Sequence, residues 1–115
     1  MKYMLMIYGD EAQLQRASPA DVDAMMGAYV AYTQELIRAG ALVGGDRLQR
    51  TSAATTVRMK DGRTEVVDGP YAETKEQLGG YYLIDVPDLD SALSWAARCP
   101  GAQVGSIEVR PVWPS

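Results

Sequence analysis

The chain has 115 residues, 47% of them hydrophobic, with one cysteine, no histidine and a net charge of −4. That length and apolar share support a single domain over residues 1–115 with a real core, and exclude wholesale disorder. The acidic balance argues against general nucleic-acid binding, which uses clustered Lys and Arg to displace counterions, and the missing histidine excludes Ser-His-Asp and Cys-His catalysis.

The opening Met1 to Tyr8 is apolar but short, and Gly9-Asp10-Glu11 follows at once, without the length or cleavage pattern of a leader peptide. No run approaches the about 20 apolar residues of a membrane helix, so a soluble, cytoplasmic protein with no membrane partner is expected. Tyr3 to Tyr8 predicts a strand that is apolar on both parities. Tyr3, Leu5 and Ile7 share one face; Met4, Met6 and Tyr8 share the other. Gly9 to Ala17 reads as a polar connection. Ser18-Pro19 then opens a helix, with Ser18 as N-cap and Pro19 in the first turn. Its apolar positions Val22, Met25, Met26, Tyr29, Tyr32, Thr33, Leu36 and Ile37 form a packing face rather than a cofactor box. Gly40 ends it.

Ala41 to Leu48 predicts a second strand, interrupted by Gly44-Gly45, a pair that marks a bulge or a close backbone approach. Ala54–Met59 and Thr64–Val67 flank Asp61-Gly62, which predicts a hairpin with a type I′ turn. Arg47, Arg50, Arg58, Lys60 and Arg63 crowd this stretch and read either as a local basic pocket or, more commonly, as solvated strand and turn positions. Tyr81 to Val86 is the next strand. Asp88 caps a second helix whose buried stripe is Leu89, Ala92, Leu93, Ala96 and Cys99, with Trp95 at its margin. Cys99, alone, forms no internal disulfide and reads as a small core residue in a reducing compartment. Pro100-Gly101 ends the helix. Gly105 to Trp113 is the last strand, with Ile107, Val109, Pro111 and Trp113 on one face.

With the hairpin removed, the order is βαββαβ, an α+β ferredoxin-like sandwich with an inserted β-hairpin. Both helices then cover one face of the sheet. The other face, also apolar, needs a cover that the chain lacks, and a second copy packed sheet against sheet is the economical one: a homodimer.

The run Asp68-Gly-Pro-Tyr-Ala-Glu-Thr-Lys-Glu-Gln-Leu-Gly-Gly-Tyr-Tyr-Leu-Ile-Asp85, continued by Val86-Pro-Asp-Leu-Asp90, resembles the signature of the DGPF family of YCII-related proteins. Ala96 to Ala102, Ile107 to Trp113 and the opening residues match its pattern too. The resemblance implies a dimeric α+β barrel. Some members resemble small proteins encoded beside, or fused with, extracytoplasmic-function sigma factors, which implies a sigma-factor partner and a regulatory role. Two departures stand out. Tyr71 replaces the Phe of the family name, adding a hydroxyl. The His-Asp pair proposed as catalytic in the wider group has no counterpart in a chain without histidine.

Asp68 has two readings, a general base or ligand-binding carboxylate at a pocket edge, and a cap on the Gly69-Pro70 turn. Glu73, Lys75 and Glu76 read either as a cluster that binds an anionic substrate or as a solvated turn. Gly79-Gly80 predicts a bulge, not a phosphate loop. Tyr81 and Tyr82 must point to opposite faces, one into core or interface and the other a pocket wall. Asp85 falls on an otherwise apolar face, where a carboxylate needs a partner or a raised pKa, and is a second catalytic candidate. No metal and no cofactor are expected. The sequence therefore predicts a homodimeric small-molecule-binding module, with Tyr71, Glu73, Lys75 and Tyr81 at a pocket between sheet and helices. The alternative is a small cofactor-independent enzyme acting on a carbonyl or aromatic substrate, with Asp68 or Asp85 as base, Lys75 as electrostatic partner and a tyrosine as donor. A purely structural partner protein is a third reading.

Overall fold

Two strands that are apolar on both parities become the central pair of one sheet. The computed structural model describes residues 1–114. In it β1 (Lys2–Gly9) pairs antiparallel with β5 (Gln77–Asp85), and the four-stranded order is β2-β5-β1-β6, with β2 at Leu42–Arg47 and β6 at Ser106–Pro111. This is the ferredoxin-like order. Three helices follow their caps. Asp10 accepts hydrogen bonds from the Ala12 and Gln13 amides and starts a single turn, α1 (Glu11–Gln15). The sequence reading missed it because one Asx-capped turn has no apolar period. Ser18 caps α2 (Pro19–Arg38), and Asp88 caps α3 (Leu89–Arg98) by accepting from the Ser91 amide at 2.8 Å.

α2 and α3 cover one face only. Register sets that face: Tyr3 lies opposite Ile84 and Leu5 opposite Tyr82, and these side chains meet Tyr32 and Leu36 of α2 and Ala92 and Ala96 of α3. Tyr32 is the hub. Its ring stands edge-on to Tyr82 at 5.4 Å and to Trp95 at 6.0 Å, and its hydroxyl donates to the Trp95 carbonyl at 2.7 Å.

The helix stripes are narrower than their sequence period. Val22, Met26 and Ile37 of α2, and Leu89 and Leu93 of α3, remain exposed, while Trp95 packs inward. An apolar arc can span half a helix, but a sheet beneath it covers only the positions that point straight down. Likewise β6 ends at Pro111, and Trp113 stands 93% exposed.

Cys99 is buried as predicted, and burial raises its thiol above the ordinary value. Native protein at pH 8 should therefore leave iodoacetamide unreacted, while denatured chain gains one adduct by mass spectrometry. Fast labelling of the native protein would mean that the end of α3 opens.

The inserted hairpin is a sheet of its own. β3 (Thr55–Lys60) pairs with β4 (Arg63–Asp68) through Asp61 and Gly62 at φ 51° and 74°, the two left-handed residues of a type I′ turn. It packs on itself and hardly on the body. The consequence is a thin, extended molecule, 48 × 43 × 18 Å, with a radius of gyration of 16.0 Å, against about 13 Å for a compact chain of this length.

Candidate functional site on the open sheet face

Two irregularities in strand pairing build the uncovered face. Gly79 is an extra residue against β1, so that Ile7 pairs with Gly80 but Tyr8 with Leu78. Val43 is extra in β2, after which Gly45 faces Tyr82 and Asp46 faces Tyr81. The glycine pairs signalled both. Gly45 also answers to close approach: a Cβ there would sit 2.6 Å from the Tyr81 carbonyl oxygen. Only glycine lets β2 come this near.

Tyr82 thus turns inward, where its hydroxyl and that of Thr33 share a 2.7 Å hydrogen bond. Tyr81 turns outward and donates to Asp46 Oδ2 at 3.1 Å. Around this pair lie Met4, Met6 and Leu83, half-buried with no helix above them. The Glu108–Arg110 ion pair lies on the same face, on β6. Asp46, by accepting the hydrogen bond and by its own charge, holds the Tyr81 phenol above its ordinary pKa. Tyr81 is therefore a standing proton donor, not an activated phenolate. Burial does the same for Tyr29, Tyr32 and Tyr82.

The other predicted site residues are scattered. Asp85 is exposed at the end of β5, where the Met1 amino group lies 3.1 Å from its Oδ1. That is the partner a carboxylate on this face needed. Asp68 ends β4, and it does not cap the turn after it. The Gly69 amide donates to the Ala54 carbonyl at 2.7 Å, and Thr56 Oγ1 donates to Gly69 O. Tyr71 is exposed, with the Arg58 guanidinium 5.2 Å above its ring. Glu73 and Lys75 are exposed, while Glu76 accepts from Ser106 Oγ at 2.8 Å. The interlayer core is built from Tyr3, Leu5, Tyr32, Leu36, Ile84, Ala92 and Ala96, and includes none of residues 68–75.

Sequence reasoning passed over Asp46 and a clasp at Glu11. Glu11 accepts from the Thr51 amide at 2.8 Å and from Thr51 Oγ1 at 2.7 Å, and its own amide donates to Gln77 Oε1 at 3.0 Å. The clasp ties α1 to the short 3-10 turn Thr51–Ala53 and to the start of β5, at the root of the hairpin.

An open cleft of about 520 Å³ lies elsewhere, between α2 and the turn after α3. Alanines 24, 28 and 31 line it, with the Arg98–Glu35 ion pair and Asp21, so its lining carries one net negative charge. Among the described residues no carboxylate is buried, and no three His, Cys, Asp or Glu come together as a metal site. Among the described residues no helix is long and apolar enough to cross a membrane.

Comparison with known proteins agrees with this architecture. Over 114 residues the chain is 42% identical to an uncharacterized protein of Rhizobium meliloti, covering 97% of this chain and 92% of the relative. Its fold is similar to that of 5-chloro-2-hydroxyhydroquinone dehydrochlorinase (TftG) from Burkholderia phenoliruptrix, solved in complex with 2,5-dihydroxybenzoquinone. The TM-score is 0.53 over 100% of this chain and 96% of that one. At 11% identity this likeness speaks for the fold alone, an α+β sandwich of the dimeric α+β barrel type. The sequence profile of the YCII-related domain matches residues 1–115, so this chain belongs to the YCII-related family.

Proposed function

We propose that the protein is a homodimeric small-molecule-binding module whose ligand lies on the open sheet face, beside Tyr81 and Asp46. The observation that carries this reading is the Tyr81–Asp46 hydrogen bond of 3.1 Å on a face of half-buried Met4, Met6 and Leu83. With the Tyr81 proton held by Asp46, the phenol oxygen and the carboxylate both accept, and two acceptors on an apolar floor suit a small aromatic ring bearing hydroxyl groups. A second copy across the same face excludes water from it. The 2,5-dihydroxybenzoquinone bound by TftG makes hydroxylated quinones the first class to try. Binding is preferred over acid–base catalysis because Asp68 and Asp85 are both exposed and Tyr81 holds its proton. Asp68, Tyr71, Glu73 and Lys75 enter this reading only as residues that a partner subunit brings to the rim.

Native mass spectrometry of gently purified protein tests it. A dimer carrying a discrete extra mass is expected, and Tyr81→Phe should weaken the identified ligand about tenfold, the loss of one hydrogen bond. A dimer without adduct, and without a thermal shift from hydroxylated quinones and phenols, overturns the reading. A sigma factor recovered in pull-downs then becomes the better occupant of the face.

A further inference from the structure

The hairpin has two unlike faces. Residues directly opposite in an antiparallel pair share a side. Val57 faces Val66 and Met59 faces Thr64, so Val57, Met59 and Val66 lie together, with Asp68 at the base of that side; Arg58, Lys60, Arg63 and Glu65 lie on the reverse, with Val67. The apolar three are 61%, 67% and 62% exposed. A two-stranded hairpin alone in water is marginally stable, and it needs a third strand or a packed face to persist. Here the turn and the register are well made, while the surface that should hold the hairpin in place is absent from the chain that carries it.

The missing area can be sized. The chain exposes 8183 Å², about 2,000 Å² more than a folded monomer of its mass. Obligate dimers bury roughly 1,000–2,500 Å² on each partner, so the excess is of the size that a dimer interface covers. Charge allows it. From Thr55 to Asp68, Arg58, Lys60 and Arg63 balance Asp61, Glu65 and Asp68, so the whole −4 resides on the body. A neutral arm approaches an acidic twin without the repulsion that two bodies feel.

We propose that the β3–β4 hairpin is an exchange arm, its Val57–Met59–Val66 face lying on a second copy of this chain. This is a contact additional to sheet-on-sheet pairing, and it rests on the homodimer reading above. The contact also orders the segment that follows β4, because Gly69 is tied to Ala54 and Thr56 at the arm's root. Two copies then embrace reciprocally, as a two-fold axis requires.

Two measurements test it. Sedimentation equilibrium should show the V57E/M59E variant dimerising at least about 100-fold more weakly than wild type, as expected for charges placed in an interface core, while E65Q on the reverse face keeps wild-type affinity. Hydrogen exchange on wild type needs no variant to fold. Amides of residues 55–68 should be protected at concentrations where the protein is dimeric, and lose protection on dilution to monomer. A dimer of unchanged affinity in V57E/M59E overturns the arm, and so do hairpin amides that exchange freely in the dimer. Either result leaves the ligand reading standing if the extra mass persists. A chain that stays monomeric at all concentrations removes the arm and the dimer together.

Discussion

Leu5→Ala is expected to cost about 3 kcal/mol, the middle of the range for emptying a leucine site in a packed core. Leu5 is completely buried in β1, between its cross-strand neighbours Tyr82 and Val109 and beneath α2. The cavity cannot collapse easily, since the central strand is held by neighbours on both sides. For a domain of this size the midpoint should fall by roughly 10–15 °C. Urea denaturation checks it, with Val30→Ala on the exposed flank of α2 as control, expected within about 0.5 kcal/mol of wild type. A loss below about 1 kcal/mol at Leu5 would mean that the interlayer core is looser than its burial implies.

Gly45→Ala is the second large effect, and it reaches the site. The added methyl would lie 2.6 Å from the Tyr81 carbonyl oxygen and 3.2 Å from the Tyr82 Cα, both backbone atoms of the central strand β5. Backbone yields by moving β2 away, at a cost of about 2 kcal/mol by analogy with overpacked sites. The same movement takes Asp46 from Tyr81. Because the Asp46 carboxylate is what holds the Tyr81 phenol up, phenolate absorbance should then appear at lower pH in G45A than in wild type. Asp46→Asn should give the same optical change with less loss of stability. Wild-type titration in G45A would show that β2 accommodates the methyl without moving.

How much of this was legible in the sequence depends on the kind of signal. Asp61-Gly62 announced its turn because two left-handed residues are a local requirement. Gly44-Gly45 and Gly79-Gly80 announced irregular pairing for another reason, the missing side chain, as the close approach of β5 backbone to Gly45 shows. The apolar residues on both parities of β1 foretold an uncovered face. Asp46 was invisible because it matters only through register: without the extra residue Val43, it would not stand opposite Tyr81. The charges Asp68, Glu73 and Lys75 drew attention by their density. Density alone did not separate a site from a connection, and the structure leaves them exposed around the root of the hairpin. Leu89 and Leu93 misled in the opposite direction, since periodicity gives a helix an apolar side without saying how wide a neighbour covers it.

The sheet order has a consequence for the order of events during synthesis. β1 is central, yet both its partners come from the C-terminal third of the chain: Tyr3 waits for Ile84 on one side and Pro111 on the other. α2 can coil as it emerges, but nothing adjacent in sequence can shelter Leu5 or Met6. The nascent strand leaves the ribosome with both edges open until β5 and β6 are made, and such distant pairings are slow to form. This is therefore a domain whose folding begins in earnest only once β5 and β6 have been made, and whose strand β1 is the segment a chaperone would meet.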